Sequence, residues 1–375
     1  MSLCAGLISG TSMDGVEAVL LEITPGAFAV RGALHLDYPD ELTARLKRAV
    51  ADPDGCGLDE LGRLDVAVAD VFADAAEGLL ARCGVAADDV RVIGSHGQTI
   101  LHRPRESRPY TLQIGDPNRI AERTGIDVVA DFRRRDMAAG GEAAPLVPAF
   151  HAAAFAVPGE DRAVVNIGGI ANITTLGAGG HIGGFDTGPG NCLMDLWAEE
   201  HLGRPYDEDG RFAAQGQVQP ELLETLLAEP YLRLPPPKST GRELFHRAWL
   251  EPALLRHAAG NADVMATLCE YTARTIADAL RAVPQFSARE LLVCGGGARN
   301  GELMRRLASR LPGVVVASTA TRGIAPDHVE AATFAWLAHR YLAGLPGNVT
   351  SVTGARGPRV LGALYRGAVT DLQHP

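Results

Sequence analysis

One pattern occurs twice in this chain and constrains its fold more than any single motif. Near the start, "LCAGLIS", "GTSMDG" and "VEAVLLEI" read as an apolar strand, a glycine turn and a second apolar strand. Past the middle, "RAVVNIGGIANITTL" repeats strand, glycine turn, strand. The first half continues with "FAVRGALHL" as a third strand, helical spacing over 39–50 and 58–83, "VRVIGSHGQT" as a strand ending in a glycine loop, "IDVVAD" as a strand, and a helix over 144–155. In the second half "HIGGFDTGPGN" leads into a helix near 192–201, and a less regular insert carries "RLPPPKSTGRELF". Then come a helix over 261–282, "ELLVCGGGARN" as strand and glycine loop, a helix over 301–311, "GVVVAS" as a strand and a closing helix over 325–343. "VIGSHGQT" matches "LVCGGGARN" in position, and "DVVAD" matches "VVVAS". The pattern predicts a duplicated α/β chain, each half a three-strand meander with βα units. A duplicated chain of this kind places its ligand in the cleft between the halves.

Length and charge narrow the function. The 375 residues exceed one ordinary core. Net charge is −10, from Lys+Arg 35 against Asp+Glu 45, without a basic block, which argues against a nucleic-acid partner. An anion must then be held by local donors, such as glycine-loop amides and a few arginines. Six cysteines contain no CxxC pair, so neither a zinc site nor a disulfide framework is expected, and Cys4 and Cys294 read as buried thiols. No basic region precedes the first apolar run, and no apolar run is long enough to span a bilayer. The expectation is a cytoplasmic protein without a membrane partner.

Three glycine loops each admit two readings. "SGTSMDG" is either a hairpin turn or an anion nest; it is no Walker A loop, since no GK[ST] follows. "NIGGIAN" is either a tight turn or a place where backbone approaches a ligand. "CGGGARN" is either a sharp strand-to-helix turn or a flat shelf for a purine and ribose. A fourth stretch, "GGFDTGPGNCLMD", surrounds Asp186 with glycines and a proline. It is either an Asx turn or helix cap, or a mount for a catalytic base.

Together "GLISGTSMDGVEAVL", "GSHGQT", "LQIGDP", "VVADFRRRDMAAGGEAAPLVP", "NIGGIANIT", "GFDTGPGN" and "CGGGARN" resemble the anhydro-N-acetylmuramic acid kinase family, of the actin/hexokinase/Hsp70-like ATPase superfamily, over essentially the whole chain. The resemblance implies a duplicated actin-like ATPase fold, with lobes over 1–160 and 161–375 and ATP in the interlobe cleft. The first phosphate loop would comprise Gly10, Thr11, Ser12, Met13, Asp14, Gly15, Val16 and Glu17. Asn166, Gly168, Gly169 and Gly188 would belong to the second, and Gly295, Gly296, Gly297 and Asn300 to the adenosine shelf. ATP and Mg2+ are the implied cofactors, and a homodimer is implied by the resemblance alone. Many superfamily sugar kinases carry Asp near the end of the first strand, where Ser9 stands here, so the magnesium ligands stay open.

The implied reaction converts ATP, water and 1,6-anhydro-N-acetylmuramate to ADP and N-acetylmuramate 6-phosphate, in reuse of cell-wall sugars. Asp186 would be the base that takes a proton from the attacking water. His96 and Gln98, past a strand end, and Glu330, on the closing helix, would contact the sugar. Arg134 is the choice from the run "DFRRRD" to hold the lactyl carboxylate, with Arg133 and Arg135 left open. "KSTGRELF" is assigned a lobe-closing or structural part. Two competing readings are an ordinary sugar hydroxyl kinase without water addition and a nucleotide-switched chaperone or filament ATPase. The latter would need a large peptide-binding or polymer-contact segment, and none is evident after Ala343.

Overall fold

The computed structural model describes residues 1–367. Its first strands, β1 (Ser2–Ser9), β2 (Gly15–Thr24) and β3 (Ala27–Asp37), form an antiparallel meander. β4 (Val90–Arg103) lies parallel to β1, β5 (Tyr110–Ile114) pairs antiparallel with β4, and β6 (Val128–Ala130) adds parallel to β4. The second meander is β7 (Arg162–Ile167), β8 (Ile170–Leu176) and β9 (Ile182–Pro189). β10 (Glu290–Cys294) and β11 (Val315–Ser318) continue it in parallel. The last described strand, β12 (Ala363–Tyr365), returns to pair with β6. The sheet orders are β12-β6-β4-β1-β2-β3 and β11-β10-β7-β8-β9. Read from β3 and from β9 the first five strands follow the same path, and β12 has no counterpart. The duplication is therefore real, with β4 equivalent to β10 and β6 to β11, as the matched strings predict.

The chain divides into two compact units, Met1–Ala154 with His328 onward, and Phe155–Asp327. This corrects the division at residue 160. The closing helix, Val329–Leu342, packs on β1 and β4 of the first sheet. Glycine makes the approach possible: a Cβ on Gly6 would overlap the Ala331 carbonyl, and one on Gly94 the Phe334 carbonyl. Residues 368–375 of the expected second lobe lie outside the described residues.

Pattern explains the layers. The helix Leu58–Cys83 buries Leu64, Val68, Phe72, Ala75, Ala76 and Leu79, a stripe at helical spacing that lies on β2 and β3. Gly84, at φ +64°, stops it. β1 is apolar without alternation because helices cover both its faces, whereas edge strand β3 alternates. In the second unit the helix Asn261–Arg281 packs on β9 and β8, and Gly301–Arg310 packs on it in turn. Each unit has its own apolar core. All six cysteines are free; Cys4 and Cys294 are buried. Among the described residues no helix is long and apolar enough to cross a membrane.

Candidate active site

The first glycine turn is shorter than expected. It occupies 10–14, with Gly10, Thr11, Ser12 and Asp14 exposed and Met13 at φ +54°. Met13 N–H donates to Gly10 O at 3.3 Å, and Ser12 Oγ to Asp14 Oδ1 at 2.8 Å. Gly15, Val16 and Glu17 already sit in the β2 ladder, opposite Asp37, Leu36 and His35. Val16 is a core residue, and Glu17 Oε1 lies 2.7 Å from His35 Nδ1. Their side chains face the core and the sheet surface. Ser9, at the end of β1, is buried, and its Oγ donates to Gln98 Oε1 at 2.6 Å.

"GSHGQT" is not a loop after a strand. β4 runs through it, with one extra residue: Leu7 faces Ser95 but Ser9 faces Gln98, and Gly97 takes φ +75°. A bulge of this kind re-aims neighbouring side chains. Gln98 is buried and committed: Nε2 donates to Gly10 O at 3.2 Å and Thr99 O at 3.3 Å. It fastens the first glycine turn to β4. His96 is buried too. Its Nε2 accepts from Arg133 Nε at 2.8 Å, so the proton sits on Nδ1, which lies 2.9 Å from Gly97 O. Burial, then the Arg133 charge, hold its pKa well below the usual histidine value. His96 is a neutral prop under Arg133.

That arginine and Arg134, the residue chosen from sequence, are placed differently. The helix Phe132–Ala138 buries Phe132, Asp136 and Met137. Arg133, four residues before Met137, faces inward; its Nη1 donates to Ala143 O at 2.7 Å. Burial lowers its pKa to about 10, and the Glu330 charge opposes that. It keeps its charge at neutral pH, and two of its five donors are engaged. Arg134 has a side chain 66% exposed and pairs with Asp131 at 2.7 Å. Glu330 lies in the first turn of Val329–Leu342 and is exposed. The 132/136/137 spacing was the one sequence signal that distinguishes Arg133 from its neighbours.

In the second unit Asp186 lies within β9, opposite Asn172, and not in a loop. Ala171 faces Gly188 and Asn172 faces Asp186, so Thr187 is the extra residue of a second bulge, with Gly188 at φ +145°. Asp186 Oδ2 accepts from Thr240 N–H at 3.0 Å. Its own N–H donates to Lys238 O at 3.1 Å, and its carbonyl accepts from Tyr231 OH at 2.9 Å. The helix Cys192–Leu202 is entered from Asn191 without a side-chain cap. The cap reading of Asp186 therefore fails.

The hairpin between β7 and β8 leans on that helix start. Gly168 O accepts from Asn191 N–H at 2.8 Å, and Gly169 O from Gly190 N–H at 2.9 Å and Cys192 N–H at 3.1 Å. A trans peptide sets its N–H opposite its C=O, so the Gly169 N–H faces away from the helix. In the third loop, Gly295 takes φ +75°, and a Cβ there would meet Asn166 Oδ1 and Ile167 O. One on Gly297 would overlap the Ile167 side chain. Gly296 is exposed, and a Cβ there would lie 3.6 Å from Asn191 Nδ2. Gly296 is thus the exposed glycine of the three, beside two that pack. Asn300 caps Gly301–Arg310 through Leu303 N–H at 2.9 Å.

The anhydro-N-acetylmuramic acid kinase family model matches residues 2–367. A protein of that name from Xanthomonas campestris pv. campestris (strain 8004) is 52% identical over 363 residues, 96% of each chain. One from Cupriavidus pinatubonensis is 51% identical over 366 residues, 96% of this chain and 97% of the other. The solved activator of the 2-hydroxyisocaproyl-CoA dehydratase from Clostridium difficile, with bound ADPNP, is 15% identical at a TM-score of 0.45, over 89% of this chain and 92% of that one.

Proposed function

The chain belongs to the anhydro-N-acetylmuramic acid kinase family, and we propose that Asp186 is the base of its reaction. The protein is a kinase that phosphorylates 1,6-anhydro-N-acetylmuramate with ATP. The observation that carries the assignment is the mounting of Asp186. A strand bulge and three hydrogen bonds from outside its strand fix the residue, and neither turn nor cap explains it.

In the proposed step a water oxygen attacks the anomeric carbon while Asp186 takes its proton. The C1–O6 anhydro bond breaks, and O6 takes the γ-phosphoryl group as its bond to the β–γ bridging oxygen of ATP breaks. Arg133, propped by His96, holds the lactyl carboxylate in place of Arg134, and Glu330 contacts the sugar. The amides of the exposed residues Gly10, Thr11, Ser12 and Asp14 and the Gly169 N–H receive phosphates, and Gly296 underlies the adenosine.

Among the described residues no three His, Cys, Asp or Glu side chains cluster to cage a metal. Mg2+ would enter on the ATP phosphates, which leaves one or two carboxylates to complete its shell. Asp14, exposed on its turn, is the candidate, whereas Ser9 is used by Gln98. The ion would neutralise charge on the phosphates. The reading extends to a cytoplasmic homodimer.

The test runs the reaction in oxygen-18 water with wild type and Asp186→Asn. The wild-type product should carry one label at the anomeric position. The variant should bind ATP normally and lose at least about 10²-fold in kcat, the usual worth of a positioned base. A product without label would make the enzyme an ordinary hydroxyl kinase. Near-normal kcat in a folded variant would return Asp186 to a structural part.

A further inference from the structure

The stretch "KSTGRELF", assigned a structural part from sequence, lies along the open edge of β9 against the proposed base. Residues 238–240 pair with Asp186 by two hydrogen bonds, Asp186 N–H to Lys238 O and Thr240 N–H to Asp186 Oδ2. Two residues on, the Arg242 guanidinium lies over the second glycine hairpin. Its Nε and Nη2 are each 3.1 Å from where a Cβ on Gly169 would stand. One short segment thus orients the base and delivers a cation to the turn proposed to receive phosphate.

The two cations of the segment are not equivalent. Lys238 is absorbed by the fold: Nζ donates to Leu232 O at 3.0 Å and lies 4.9 Å from the Tyr231 ring centre. Arg242 is exposed, and among the described residues no hydrogen bond or ion pair engages it. Asp195, on the helix that begins at Cys192, acts on it only through space. A planar guanidinium with free donors, poised beside outward-facing glycine amides, fits the equatorial oxygens of a phosphoryl group in transfer.

We infer that Arg242 is a catalytic residue that donates N–H groups to the γ-phosphoryl group as it passes from ATP to the sugar O6. Arg242 exchanges no proton; it holds charge that gathers on the non-bridging oxygens, while the water proton goes to Asp186. The inference rests on the reading of Asp186 as base and of Gly168 and Gly169 as a phosphate hairpin. The competing role is structural, with Arg242 present only to balance the half-buried Asp195 carboxylate.

The experiment compares Arg242→Ala, Arg242→Lys, Asp186→Asn and the double variant Arg242→Ala/Asp195→Asn, all checked for folding by circular dichroism. Steady-state kinetics and ADP binding by calorimetry are the readouts. A charge-stabilising arginine is worth roughly 10³-fold or more in kcat. Arg242→Ala should therefore lose at least about 10²-fold in kcat, with ADP affinity and sugar KM nearly unchanged. Arg242→Lys should recover little, because an ammonium lacks the fork. Added guanidinium should partly restore Arg242→Ala. Recovery of kcat in the double variant, or near-normal kcat in Arg242→Ala, would overturn the inference. Near-normal Arg242→Ala beside an inactive Asp186→Asn would sink this inference alone. Normal rates in both would sink the reading of the base as well. Should Arg242→Ala fail to fold, Arg242→Lys and Arg242→Gln decide by the same criteria.

Discussion

At the scale of single residues, adjacent arginines have opposite fates. Arg133 and Arg134 are chemically identical, yet the rotation of about 100° from one helical residue to the next sends the first toward His96 and the second to solvent beside Asp131. An exposed ion pair of the second kind contributes little. A charge-assisted pair to a substrate carboxylate is worth about 1.5–3 kcal/mol, or roughly 10- to 100-fold in affinity. Arg133→Ala should raise the sugar KM by that factor, and Arg134→Ala should leave it within about twofold. Equal sugar KM values in the two variants, with ATP KM as control, would remove Arg133 from the sugar site. His96 belongs to the same argument. It was legible as a polar residue at the ligand edge of a strand, but its neutral, proton-on-Nδ1 state follows only from the arginine that donates to it.

At the scale of elements, the loop after the Arg133 helix is held from far along the chain. The fully buried Asp136 carboxylate accepts from Ala143 N–H at 2.9 Å, Asn348 Nδ2 at 2.7 Å and Thr353 Oγ1 at 2.9 Å. Three donors lose their partner if it is removed, at about 1–3 kcal/mol each. Asp136→Ala should destabilise the first unit by at least about 3 kcal/mol in urea unfolding. A change below about 0.5 kcal/mol would show that water replaces the carboxylate at no cost. The two bulges belong to this scale as well. "GSHGQT" and "GFDTGPGN" were legible as special by their glycines, yet both read as loops. Strand pairing with β1 and β8 keeps them in the sheet, and the glycines Gly97 and Gly188 take the positive φ that each bulge requires.

At the scale of the whole molecule, the second unit is one continuous stretch and the first is not. A fragment of residues 155–327 carries its complete sheet, the helix Asn261–Arg281 and its own core. It should fold alone and unfold cooperatively. A fragment of residues 1–154 lacks Val329–Leu342 and leaves β1 and β4 bare over Gly6 and Gly94, so it should aggregate or stay unfolded. Circular dichroism and thermal melts of the two fragments check this; a stable 1–154 fragment would deny the helix its part in the fold. The sequence by itself determined the duplication, the meanders, the glycine turns and the family, because these depend on local period and on residues adjacent in the chain. Tertiary structure alone decided that the last helix joins the first sheet, which arginine faces inward, and that "KSTGRELF" lies on the edge of β9. Those outcomes rest on contacts between residues up to hundreds of positions apart. Shape and open hydrogen-bonding edges select the partner there, and no local pattern encodes it.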